Sequence, residues 1–158
     1  MRRVAALASA LLLATCLTSC GHGTKSYCSA LRDDQGRLKK LARQTGQHGA
    51  KGAQALGASV DLLAELQDKA PDEVADDWTT LVRALRGLDQ AVKESGASPA
   101  DFAAGKRPKG VTEGQYAAVQ QAADKLQSTP VQQASASIEQ HALQVCKVDL
   151  GSGLGGAG

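Results

Sequence analysis

Pro71-Asp72-Glu73-Val74-Ala75-Asp76-Asp77-Trp78-Thr79-Thr80-Leu81-Val82-Arg83-Ala84-Leu85-Arg86-Gly87-Leu88-Asp89-Gln90-Ala91-Val92 carries its large apolar residues in steps of four and three. Val74, Trp78, Leu81, Leu85, Leu88 and Val92 therefore fall on one face of a 3.6-residue helix, and the segment is predicted to be a helix with a continuous buried stripe. Pro71 suits the first helical position, where its missing N–H has no partner to lose. Asp72 and Glu73 place negative charge at the positive end of the helix dipole.

The same period continues on both sides. Tyr27, Leu31, Leu38 and Leu41 mark a first helix, and Leu56, Val60, Leu63 and Leu66 a second, with Gly46, Gly49 and Gly52 between them. Downstream, Ser98-Pro99-Ala100-Asp101 reads as the capped start of a single short turn, and Gly105-Lys106-Arg107-Pro108-Lys109-Gly110 as loop. Thr112 with Gln115 forms a capping-box pattern that opens a fourth helix on Tyr116, Val119, Ala123 and Leu126. Thr129-Pro130 begins a fifth on Val131, Ala134, Ile138, Ala142 and Val145. Pro130 either kinks one long helix or starts a new one, and the Ser-Thr-Pro signal favours a turn. The expected class is all-α, a bundle of four to five helices. Tyr27, Trp78, Phe102 and Tyr116 are its only aromatics, so the core must be mostly Leu, Val and Ala.

At the amino terminus, Met1-Arg2-Arg3 precedes an apolar run from Val4 to Leu17, which falls short of the roughly 20 residues needed to cross hydrocarbon. It closes on Leu17-Thr18-Ser19-Cys20, which resembles the lipobox of bacterial lipoprotein precursors. Leu13-Ala14-Thr15-Cys16 is a competing box, but Thr15 is bulkier than the small residue usual before the modified cysteine. The resemblance implies removal of residues 1–19, lipidation of Cys20 and residence at the outer face of the cytoplasmic membrane. Residues 20–27 would be the lipidated terminus and a short tether. Stretched, the seven residues from Gly21 to Tyr27 reach on the order of 24 Å. Residues 28–150 would form the bundle and 151–158 a disordered Gly-rich tail.

That processing also settles the cysteines. Of Cys16, Cys20, Cys28 and Cys146, cleavage removes the first and lipid consumes the second. Cys28 and Cys146 remain and can pair in an exported compartment. A redox role is disfavoured, because the pair lacks C-x-x-C spacing. With Cys28 near the start of the first helix and Cys146 near the end of the last, the bridge requires their Cα atoms within about 7 Å. Five helices alternating up and down would leave them at opposite ends. The connection 95–111 is therefore expected to run back along the bundle, starting the fourth helix on the same side as the third.

Together the lipobox, Tyr27-Cys28, Ala70-Pro71-Asp72-Glu73-Val74 with Asp77-Trp78, and the lone Cys146 resemble the small, uncharacterised helical lipoproteins and secreted proteins of actinobacteria. The resemblance implies a compartment and a helical fold, and carries over no active site.

The full chain has 18 Lys and Arg against 16 Asp and Glu. Losing Arg2 and Arg3 with the leader balances the two, which removes the electrostatic case for a nucleic-acid partner. His22 lies in the tether and His48 in the Gly-rich linker, while His141 shares no helix face with Glu139 or Cys146, so no metal site is expected. Asp76-Asp77-Trp78 is better read as helix-dipole acids beside a core tryptophan than as a catalytic pair. Asp33/Arg37, Glu65/Lys69 and Asp89/Lys93 read as i, i+4 pairs on wet faces. No residue is singled out as catalytic, and no cofactor is expected.

Two surfaces stand out for a partner. Lys106, Arg107 and Lys109 crowd one loop, suited to anionic headgroups or an acidic protein. The fifth helix presents Gln132, Gln133, Ser135, Ser137, Gln140 and Gln144 with Glu139 as its only charge. The expected function is a membrane-anchored, non-enzymatic interaction module of the cell envelope. The alternative is a small-molecule or lipid binder using a cavity between helices.

Overall fold

The computed structural model describes residues 22–151, so the expected leader, Cys20 and the segment from 152 onward lie outside the described residues. It contains α1 (His22–Thr45), α2 (Ala50–Gln67), α3 (Asp72–Ser95), α4 (Pro99–Phe102), α5 (Glu113–Leu126) and α6 (Thr129–His141), then a π-helical turn, Ala142–Cys146. The all-α class is as expected, with six helices rather than four to five. The addition is α4, the capped turn at Ser98. Helix α1 already begins at His22, so the segment read as tether is helical from that residue on.

Contacts at the two ends give the topology. Trp78, early in α3, packs edge-on against Tyr27, early in α1, with ring centroids 6.3 Å apart. At the other end Gly49 N–H donates to Ser98 Oγ (3.1 Å), and Gln115 Nε2 donates to the Glu94 carbonyl (2.7 Å). Helix α5 therefore starts beside the end of α3 and runs antiparallel to it. From Leu126, which packs on the cluster around Trp78, α6 carries on to Cys146 beside Cys28. Both α5 and α6 pack on α3 and hardly on one another. They form one interrupted rod, and with α1, α2 and α3 it completes an up-down-up-down bundle.

This corrects the expected path. The connection after Ser95 stays at one end of the bundle and does not run back along it. Cys28 and Cys146 still meet, with Cα atoms 4.9 Å apart, because the break at Gln127 and Ser128 does not reverse the chain. Ser128 is extended and caps α6, and Pro130 sits in the first turn, where an N–H is not needed.

Two clusters make the core. The first surrounds the disulfide, with Tyr27, Leu31, Leu66, Trp78, Leu81, Ile138 and Cys146 all fully buried. The Trp78 indole N–H donates to the Tyr27 hydroxyl (2.9 Å), which gives the buried donor its partner. Burial pushes the Tyr27 hydroxyl above its ordinary pKa, against a smaller opposing effect of that bond. The second cluster, nearer the α1–α2 loop, joins Leu56, Val60, Ala91, Val92 and Val119, with no α1 residue in it.

Several registers differ from the sequence reading. Pro71 is the extended residue before α3 rather than its first helical residue. Gly52 lies inside α2, where a methyl group would stand 1.9 Å from the Gln47 carbonyl oxygen. Leu41 lies outside both core clusters, and Ala122 rather than Ala123 packs on Val119. The π turn inserts one extra residue per turn. It brings Cys146 inward and leaves Val145 50% and Leu143 56% exposed.

Candidate ligand-binding cleft

One row of α1 steps by four and three through Leu31, Gln35, Leu38, Ala42 and Thr45, buried at Leu31, half-buried at Gln35, Leu38 and Thr45 and exposed at Ala42. Leu31 is fully buried in the first cluster and Leu38 packs at its edge. Ala42 and Thr45 are short, neither packs on the second cluster, and the backbone of α1 packs closely on α2 but not on α3. A cavity of about 250 Å³ results. Besides Gln35, Leu38, Ala42 and Thr45 of this row and Lys39, Ser59 and Leu63 of α2, Leu85 of α3 and Leu150 line it. Leu85 packs against both core clusters, so the cavity opens where one ends and the other begins.

The chain beyond the disulfide holds Leu150 in that wall. Lys147, at φ 57°, ends the π turn, and Val148 N–H donates back to the Ala142 carbonyl (3.0 Å). Residues 148–150 then run along α1. Arg32 Nη2 donates to the Cys146 carbonyl (3.0 Å), and Gln35 Nε2 donates to that of Asp149.

The polar side chains in the wall are largely occupied. Thr45 Oγ1 donates to the Leu41 carbonyl (3.0 Å), Ser59 Oγ to the Ala55 carbonyl (2.7 Å), and Gln35 to Asp149. Lys39, at the exposed rim, has no hydrogen bond or ion pair among the described residues. The cleft thus offers apolar surface and one ammonium.

The far end carries a polar latch. Ser98 is fully buried, and its N–H and hydroxyl both donate to Asp101 Oδ2 (2.8 and 2.6 Å). His48 Nδ1 lies 2.7 Å from Asp101 Oδ1. The Ser98 hydroxyl, then His48, then the Ser98 N–H hold the Asp101 carboxyl at about 2, below its ordinary value of 3.8. His48, which the sequence places in a Gly-rich linker, is therefore fixed by a partner 53 residues away.

The sequence-derived partner surfaces lie apart. Lys106, Arg107 and Lys109 are exposed on the loop between α4 and α5, and Arg107 Nη1 donates to the Val111 carbonyl. Gln133, Gln140 and Gln144 are exposed on the rod that runs to the disulfide, beside Leu143 and Val145. Ser135, assigned to that outer face, is instead buried with its Oγ unpartnered. Asp89 is also buried: it holds Lys93 at the α2–α3 contact, where Gly57 leaves room for it, so the acid is off the wet face while the lysine, 62% exposed, remains on it. Arg37 reaches Asp34 at 4.0 Å rather than Asp33. The Asp76-Asp77-Trp78 cluster separates, with Trp78 in the core and Asp76 exposed. The His141 ring stands 5.7 Å from that of Tyr27, its Nδ1 buried without a partner.

Among the described residues no helix is long and apolar enough to cross a membrane, and no three His, Cys, Asp or Glu side chains group to hold a metal ion. Comparison with protein-family models, curated proteins and solved structures finds no match for the chain.

Proposed function

We propose that the protein is a lipid-anchored module of the cell envelope, held by Cys20 at the outer face of the membrane, whose bundle binds an apolar ligand without transforming it. The observation that supports binding is the α1–α2–α3 cleft, a preformed, mainly apolar cavity whose uncharged polar wall groups, Gln35, Thr45 and Ser59, are already paired within the chain. The lipobox Leu17-Thr18-Ser19-Cys20 supports the anchor. A thermal-shift panel of apolar and polar metabolites tests the first part: apolar members should raise Tm in a concentration-dependent way, and a panel in which only polar members do so refutes it. Cys20→Ala tests the second. It should release the protein into the medium, and retention at the membrane would contradict the anchor.

A second reading, protein docking, draws on a different observation. The basic loop stands at the end of the bundle away from the start of α1, roughly 36 Å off along that helix. A protein tethered through its amino terminus would present Lys106 and Lys109 outward to an acidic partner rather than down to headgroups. Mild crosslinking on membranes should then enrich one envelope protein, and Lys106→Glu with Lys109→Glu should abolish that enrichment.

A further inference from the structure

We propose that the ligand of the cleft is a single-chain fatty acid, its alkyl tail between α1, α2 and α3 and its carboxylate against Lys39; this rests on the reading of the cleft as the binding site.

Size argues for one chain. Drug-sized ligands occupy pockets of roughly 300–1,000 Å³, and this cavity measures about 250 Å³. At about 30 Å³ for a group the size of water, it accepts on the order of eight chain atoms. A lipid with two acyl chains would leave one of them in water. The wall selects an alkyl chain over a polar ligand: Leu38, Leu63, Leu85 and Leu150 line it, while Thr45 and Ser59 already donate to carbonyls of their own helices. A buried sugar or peptide would lack partners for its own polar groups.

Charge selects the head. Lys39 is the charged residue in the lining, is exposed, and has no partner among the described residues. Arg43 follows it one turn later on α1, and no acid lines the cleft to compete for either cation. An amphiphile with its tail in the cavity brings its carboxylate to the rim, where a charge-assisted bond forms without burying either ion.

The test is calorimetric titration of the full chain, carrying Cys20→Ala so that no acyl group of its own competes. The probes are straight-chain carboxylates from hexanoate to tetradecanoate, matched with the 1-alkanols, all below their micellar concentrations. Affinity should rise about fourfold per methylene, the equivalent of ~0.8 kcal/mol, and level off near eight to ten carbons when the cavity is full. Alkanols should bind at least several-fold more weakly than carboxylates of equal length, and Lys39→Gln should erase that difference. Ala42→Phe, which fills the cavity, should abolish binding of both series, and Thr45→Leu repeats the test should Ala42→Phe fail to fold. Equal binding of carboxylates and alkanols, unchanged by Lys39→Gln, overturns the fatty-acid assignment and leaves the cleft standing. Absence of binding, or binding indifferent to Ala42→Phe and Thr45→Leu, overturns both.

Discussion

The half of the bundle around the disulfide and the half around the α1–α2 loop are closed by different means. Near the disulfide, Trp78, Tyr27, Leu31, Leu66, Leu81 and Ile138 fill the space between all four rods, and the Cys28–Cys146 bond joins the first rod to the last. Near the loop the core is Leu56, Val60, Ala91, Val92 and Val119. There α1 stays packed on α2, and the loop after it meets the start of α4 through the contacts of His48 and Gly49 with Ser98 and Asp101. A helix that packs on one neighbour can leave a gap toward the next. The cleft is that gap, along a row of α1 on which Leu31, Gln35 and Leu38 give way to the smaller Ala42 and Thr45.

Removing the covalent closure should have the largest effect. Cys28→Ser with Cys146→Ser should lower unfolding free energy by about 4–5 kcal/mol on the chain-entropy account for a separation of 118 residues. Denaturant titration measures this, and a loss under about 1 kcal/mol would mean that packing alone holds the first half.

The second contrast uses one substitution in both halves. Ala84→Leu, at a position 2% exposed beside Trp78 and Leu81, should destabilise by about 1–3 kcal/mol through overpacking. Ala42→Leu, facing the cavity, should stabilise by about 0.5–2 kcal/mol. The same sign at both sites would erase the distinction between a filled half and an open one.

The smallest effect belongs to the latch. The Asp101 carboxyl has a lower pKa folded than unfolded, so the stability it contributes is fully present above the ordinary carboxylate range. That contribution is lost as pH falls through about 2. Urea titrations from about pH 5 down to about pH 2 should show Asp101→Asn losing less stability on acidification than the parent chain. Identical pH slopes would remove the latch from the account.

How much of the molecule is legible in its sequence depends on the size of the side chains that carry the signal. The stripes of α2 and α3 are legible because Leu, Val and Trp recur at helical spacing, and the capping boxes at Ser98 and Thr112 because their partners lie three residues away. The cleft is not. The row through Leu31 and Leu38 also passes through Ala42 and Thr45, but periodicity names the positions that face inward without saying whether the neighbouring helix reaches them. The latch joins residues 53 apart with no local pattern between them. A regular helix would turn Val145 inward, and the π turn gives that place to Cys146. The interruption at Ser128 is visible, but whether a break reverses the chain depends on what α6 packs against, which is α3 rather than α5.

Amide hydrogen exchange on the full chain carrying Cys20→Ala, with and without decanoate, tests most directly that one half of this bundle is closed and the other open to a ligand. Without ligand, the slowest amides should lie in the first turns of α3 and in α6, and those of α1 beyond Leu38 should exchange faster. Decanoate should slow exchange in α1 from Gln35 to Thr45 and around Leu63, and leave the residues around Trp78 and the disulfide unchanged. Uniform exchange along α1, or protection that appears only around the disulfide, would contradict it.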